Sequence, residues 1–506
     1  MLDFRFLLLI NILGIVSVIF FERKKPSEII SWVLVITFLP GIGFLLYLLI
    51  GETASMKMTS RFGQKRLFDD MFRKRQSSMN IQTTASAAEN SAMQPALLPE
   101  PQPASPPTLQ PALQPALQPL NKNADIIEMI GRQSDSILTD DNKVDIYTNA
   151  NDKYEALLAD IANAKTSIHM LYFTFNADHV GKRFIDLLAI KASEGVEVRI
   201  LYDTIGNFPY LISDFKKIYE AGGKVFRFFP LINILKVNYR NHRKIVVIDG
   251  RIAYTGGINI SKSYVGEHKR AKPWRDTHIR ITGSGANAFQ ERFMLDWIHV
   301  SKEKFDFDSE VVQRKYFPAA APEDRGTAYM QVVSSGPDVE GEHIKYGYIK
   351  MINGAKRSLY MQSPYFIPDD AFMLALRLAV DSGVDVRIIM PGVPDKKLVY
   401  LISRSYLKEL FHTGVKIYFY NGFIHSKMII MDGEIVTIGT ANIDIRSFLL
   451  DFEINAFIYD NEIASRCVKI FFEDMEQSNL ITLEQAKDSI LMRLVETVLK
   501  ILSPLL

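Results

Sequence analysis

The string His-x-Lys-x-x-x-x-Asp occurs twice, as His242, Lys244 and Asp249 in NHRKIVVIDG and as His425, Lys427 and Asp432 in IHSKMIIMDG, 183 residues apart. Transfer at a phosphodiester needs a nucleophile, a proton donor for the leaving oxygen and positive charge around the nonbridging oxygens. A pair of histidines supplies the first two near neutral pH. A pair of lysines supplies the third, each as a point-charge phosphate binder. At i and i+2 of a strand, His and Lys point to one face and the residue between them to the other. Asp249 and Asp432 complete each catalytic motif at the strand's end, where they read as turn or ion-pair residues rather than proton donors. One copy of the string is a weak signal; two in aligned repeats predict one active site built from two halves.

After each Asp come six residues and then GlyGlyIleAsn (256–259) or GlyThrAlaAsn (439–442). Small residues let the backbone approach a phosphate closely, and Asn259 and Asn442 add amide donors as substrate-binding groups. Further on, Asp276 and Glu453 match in position, 177 residues apart. Each can orient a catalytic histidine through its other ring nitrogen. No His-x-x-x-His or clustered carboxylate pattern stands out, and the lysines already supply the charge a metal would bring. Neither a metal nor a cofactor is expected. The one cysteine, Cys467, allows no internal disulfide, Cys-based zinc site or redox pair.

The elements that position these groups repeat with them. NAKTSIHMLYFTF (163–175) resembles GAKRSLYMQSPYF (354–366), and GVEVRILYD (195–203) resembles GVDVRIIMP (383–391). Nearly constant offsets mark a tandem duplication. Each half reads as helix, apolar strand, helix, strand, then the motif strand, so the fold class is α/β, with helices covering a mixed sheet. The 506 residues suffice for two domains. Their expected limits are 124–310 and 311–480. With 59 basic residues against 57 acidic ones, the charge balance gives no argument for a nucleic-acid partner.

The ends differ from the body. Leu2 to Phe21 and Ile29 to Ile50 are apolar runs of about the 20 residues that cross a bilayer, so residues 1–52 are expected to form two transmembrane helices in a hairpin. A cleaved signal peptide fits less well, because the start lacks a basic cluster and no small-x-small site follows. Lys57, Arg61, Lys65, Arg66, Arg73, Lys74 and Arg75 follow the second run and place the body in the cytoplasm. Arg23, Lys24 and Lys25, in the turn, pull the other way. Residues 53–123 are a basic and then proline-rich tether, with the repeat LQPALQPALQP at 109–119. The tail, 481–506, reads as an amphipathic helix docked on the body, with the membrane interface as the alternative.

The paired motif resembles the phospholipase D superfamily, and the layout is similar to its bacterial cardiolipin synthases. FLPGIGFLLYLLIGE (38–52), KASEGVEVRILYD, PWRDTH, SPYFIPD, HSKMIIMDG, GTANIDIRSF and the closing SPLL carry the resemblance, which covers all but the tether. Asp451 departs from the Asn-Phe-Glu sequence associated with the family. The resemblance implies two tandem phospholipase D-like domains in a multi-pass protein of the inner membrane. It implies a phosphatidyltransferase that acts on phosphatidylglycerol, releases glycerol and forms cardiolipin through a phosphohistidine. His242 would be the nucleophile and His425 the acid/base, although the symmetry leaves the order open. Lys244, Lys427, Asn259 and Asn442 would hold the phosphate oxygens. The alternatives are a phospholipase D hydrolase, a transferase using another alcohol such as serine or ethanolamine, and a nuclease.

Overall fold

The computed structural model describes residues 4–20, 26–50, 122–210, 212–228 and 239–482. In the first half, strands Ser167–Tyr172, Glu197–Asp203 and Lys224–Phe228 pair in parallel. Every residue of Ser167–Tyr172 is buried, as expected for a central strand with both faces covered. The helices before and after the first of these strands have side-chain caps: Asn149 accepts from Asp152 N, and Asp178 from Val180 N and Gly181 N. The chain then returns antiparallel through Ile245–Ile248, the strand that follows His242 and Lys244.

The second half repeats this with Ser358–Gln362, Asp385–Pro391, Lys416–Tyr420 and Met428–Met431. Among the described residues all these strands belong to one sixteen-stranded mixed sheet. From one edge it runs 224–228, 197–203, 167–172, 245–248, 252–256, 278–282 and 139–147. It then continues as 328–335, 451–459, 435–439, 428–431, 358–362, 385–391 and 416–420, closed by 478–480, with Arg240–Asn241 off this path beside 451–459 as the sixteenth. The order of one half mirrors the other about the antiparallel seam between Thr139–Tyr147 and Ala328–Ser335.

The halves also share apolar packing. Leu171, Ile245 and Val247 join Met428, Ile430 and Ile438 in one cluster. Helix Ala124–Ser134 precedes the first half in sequence, yet Ile126 and Ile130 pack with Tyr348, Met351 and Phe457 of the second. The motif strands are therefore held by a continuous interior, which fixes them against each other.

The N-terminal region differs from the expected two-helix hairpin. It forms α1 (Phe4–Phe20), α2 (Pro26–Phe38) and α3 (Ile42–Ile50). Pro40 has no amide hydrogen and Gly41 takes a positive φ of 75°, so the second apolar run breaks in two. Among the described residues no helix is long and apolar enough to cross a membrane. At 1.5 Å per residue α1 reaches about 25 Å, against a hydrocarbon core of about 30 Å. The tether, apart from its last residues, and the tail helix lie outside the described residues.

Candidate active site

Each motif histidine is clasped by the other half. His242 Nδ1 lies 2.9 Å from Glu453 Oε1, and His425 Nδ1 lies 2.7 Å from Asp276 Oδ2. Short parallel pairings bring them together: Arg240–Asn241 beside Asp451–Phe452, and Phe423–Ile424 beside Trp274–Arg275. Backbone bonds complete both, His242 N donating to Phe452 O at 3.0 Å and His425 N to Arg275 O at 2.7 Å. With Nδ1 engaged by a carboxylate, each ring keeps Nε2 for chemistry. The two expected carboxylates thus stand beside the two expected histidines, with each pair crossing between the halves.

Lys244 Nζ donates to His242 O at 2.8 Å and Lys427 Nζ to His425 O at 2.5 Å. Burial pushes the Lys244 ammonium down to about 7 and that of Lys427 down to about 8. Burial also holds His242 well below the ordinary imidazole range, and Lys244, Lys427 and His425 add to the effect. His425 is pushed down to about 4 by burial and by Lys427, while Asp276 pulls it back up. Burial raises the Glu453 carboxyl to about 7. These mutual influences place two histidines and two lysines in one desolvated site, where an anion would be stabilised strongly.

Asp249 and Asp432 are not brought to the histidines. They lie at the far end of Ile245–Ile248 and Met428–Met431, in Asp-Gly turns with φ of 53° and 55°, followed by Gly250 and Gly433 at 66° and 69°. Two consecutive positive φ values are what a type I′ hairpin turn requires. The Asp249 carboxylate accepts from the amides of Lys165, Thr166 and Ser167 at 2.8, 2.7 and 2.9 Å. Asp432 accepts from Lys356, Arg357 and Ser358 at 2.9, 2.7 and 2.9 Å. The motif's third residue therefore pins the start of the neighbouring strand.

The asparagines are not equivalent. Asn259 Oδ1 accepts from Thr174 N at 3.1 Å, and its amide donates to the Tyr264 hydroxyl. Asn442 Oδ1 is buried without a hydrogen-bond partner. The small residues beside them make room for protein groups. A Cβ on Gly257 would lie 2.0 Å from Asp276 Oδ1, and one on Gly439 would lie 2.3 Å from Asn455 Oδ1.

Sequence reasoning missed the aromatic walls. Phe173 stands edge-on to His242 with centroids 5.1 Å apart, whereas Trp274, Tyr264 and Phe423 surround His425 at 5.5, 5.8 and 5.9 Å. Their signal was position, since Phe173 lies in an aligned repeat, and Trp274 and Phe423 flank residues already singled out. Arg243, between His242 and Lys244, points away from them and is fully buried between Asp296 (2.9 Å) and Asp338 (3.3 Å).

Known proteins resemble this chain closely. The family described as "Cardiolipin synthase, PLD-like domain" matches residues 157–273 and 348–475, and "Phospholipase_D-nuclease N-terminal" matches 9–52. A cardiolipin synthase of Listeria monocytogenes serotype 4a is 41% identical across 99% of this chain and 98% of its own. The major cardiolipin synthase ClsA of Bacillus subtilis is also 41% identical, over 98% of each. The crystal structure of phosphatidylserine synthase from Haemophilus influenzae shares the fold, with a TM-score of 0.56 and 15% identity, over 76% of this chain and 100% of that one. With 41% identity to curated relatives over nearly its whole length and the family's domain matched in both halves, the chain belongs to the cardiolipin synthases of the phospholipase D superfamily.

Proposed function

We propose that this protein joins two phosphatidylglycerol molecules into cardiolipin with release of glycerol. The observation that carries the mechanism is the crossed clasp, which leaves two imidazole Nε2 atoms in one lysine-lined site. His242 Nε2 attacks the phosphorus of the first lipid, forming a P–N bond. The P–O bond to glycerol breaks, and His425 gives its proton to the departing oxygen. The terminal hydroxyl of a second phosphatidylglycerol then attacks phosphorus and returns a proton to His425. The P–N bond breaks and His242 is regenerated.

The environment favours this division of roles. Burial and the surrounding cations act together to keep His242 neutral, as a nucleophile must be. Asp276 works against the burial and the Lys427 charge that push His425 down to about 4, so His425 is the easier of the two to protonate as the substrate's proton demand rises. Lys244 and Lys427 hold the nonbridging oxygens, with Asn259 and Asn442 as further amide groups in this reading. Asp249 and Asp432 support the motif strands. No step calls on a metal or cofactor.

Membrane attachment follows from the N-terminal helices, which expose Ile12, Leu13, Ile30, Phe38, Ile42 and Leu45. Such an apolar surface needs lipid around it. Holding the site at the bilayer raises the local concentration of lipid alcohol over other acceptors. In this reading the body lies in the cytoplasm, against the inner membrane.

The test is to give the purified full-length protein phosphatidylglycerol alone, with EDTA present, and identify the products. Cardiolipin with free glycerol is expected. Phosphatidic acid with glycerol would make water the acceptor and the protein a hydrolase. Loss of turnover that returned with added metal would overturn the lysine-based mechanism.

A further inference from the structure

The contacts among the three N-terminal helices set which ends lie together. Trp32 and Tyr47 meet with ring centroids 5.2 Å apart. A Cβ on Gly43 would lie 2.5 Å from Val35 O and 2.7 Å from Ile36 Cα. Val35 or Ile36 with Gly43, and then Trp32 with Tyr47, are successive rungs of an antiparallel hairpin closing at Leu39–Gly41. In a straight helix residues seven apart would be about 10 Å from each other. The chain therefore doubles back at Pro40–Gly41, and α3 returns along α2.

α1 locks that fold. Asn11 Nδ2 donates to Ile36 O at 2.9 Å, and Asn11 Oδ1 accepts from Gly41 N at 3.0 Å, so one amide satisfies backbone groups freed by the break. Val18 shares a buried cluster with Trp32, Ile36 and Tyr47. Asn11 thus sits at the closed tip and Val18 toward the open end. Phe20, Pro26 and Ile50 all lie at that open end. Broken backbone in an apolar phase is tolerated where other protein groups satisfy it, as Asn11 does.

We infer that α2 and α3 form a re-entrant wedge in the bilayer, so that the open end at Phe20 and Pro26 and the catalytic body lie on the same side of the membrane. This rests on the membrane attachment proposed above and departs from the spanning hairpin read in the sequence. At about 20 and 14 Å the two helices are too short for a core of about 30 Å and suited to entering and leaving one face. Their outward residues Ile30, Leu34, Phe38, Ile42 and Leu45 are exposed and apolar, as a lipid-facing surface requires. The charges agree. A spanning hairpin would put Arg23, Lys24 and Lys25 opposite the seven basic residues between 57 and 75, whereas the wedge gathers both clusters on one face. No further apolar run between 51 and 121 carries the chain across again.

The test uses Lys24→Cys and Lys469→Cys in the full-length protein. Lys469 is exposed on the body, and the native Cys467 is buried and silent. A membrane-impermeant maleimide is applied to intact spheroplasts and again after permeabilisation. The two positions should show the same ratio of labelling before and after opening. Lys25→Cys repeats the comparison should Lys24→Cys express poorly. Labelling of the loop cysteine in intact spheroplasts, with Lys469→Cys protected, would overturn the wedge and restore the spanning hairpin. Should the protein leave the membrane in alkaline carbonate, the membrane reading itself fails, and the wedge with it.

Discussion

The two halves of the active site are copies in backbone and differ in charge. His242 and His425 enter on equivalent short strands, each held by a carboxylate from the opposite half. Around His242, burial and every leading electrostatic influence disfavour the imidazolium, and its partner Glu453 is itself raised to about 7. Around His425, Asp276 works against burial. The residue between His and Lys also differs: Arg243 sits in a buried ion cluster, whereas Ser426 makes one 2.8 Å hydrogen bond to Thr277 Oγ1. Duplication explains where the reactive groups stand. The later differences around them make His425 the easier of the two to protonate.

The sharpest way to break this comparison is to remove each histidine. His242→Ala and His425→Ala should each lower transfer by about 10⁴-fold or more, because groups acting as a unit fail together. A phosphatidyl ester of p-nitrophenol separates the roles, since its leaving group needs no proton. His425→Ala should release a first equivalent of p-nitrophenol, and His242→Ala should release none. The reverse result would exchange nucleophile and acid.

A second contrast concerns stability. Arg243→Ala leaves Asp296 and Asp338 with Arg292 as their remaining buried cation. The loss should be about 3–5 kcal/mol. Ser426→Ala removes one neutral hydrogen bond and should cost about 1 kcal/mol. Urea midpoints of the solubilised proteins measure both. Equal losses would mean that the halves are as alike in packing as in strand order.

The orienting carboxylates should differ more gently. Asp276→Asn, which removes the charge favouring protonated His425, should reduce kcat by about a hundredfold. Glu453 already tends toward the neutral form, so Glu453→Gln should cost only about tenfold. A larger loss at Glu453 would show that His242 is the histidine needing positive charge.

Much of this site was legible because its signals are local or periodic. The paired motifs, the constant offsets and the candidate carboxylates all follow from spacing. The crossing of the carboxylates was not legible: Glu453 and Asp276 pair with the histidines of opposite halves only after the sheet joins at 139–147 and 328–335. Asp249–Gly250 and Asp432–Gly433 announced hairpin turns, but the three amides each Asp receives come from a distant segment. Gly257 reads as a phosphate approach in sequence, whereas in space it makes room for Asp276. Pro40 and Gly41 were visible as an interruption, and a long apolar run outweighed them. The contact that turns the interruption into a fold comes from Asn11, 25 residues from Ile36 and 30 from Gly41.

The lysines offer the finest test of difference between the halves. Each must be protonated to hold phosphate, and burial lowers Lys244 to about 7 and Lys427 to about 8, below an ordinary 10.5. Raising the pH through this range removes the charge, so kcat/KM should fall on the alkaline side, by about tenfold per pH unit for each lost proton. Arginine stays charged throughout, though its planar fork differs from a compact ammonium. Lys244→Arg should therefore remove the earlier fall and leave one near 8, and Lys427→Arg should leave the one near 7. Maximal rates in both variants will be lower, and the position of the fall is what counts. If it stays at the same pH in both, neither lysine sets it, and phosphate binding must depend on other groups.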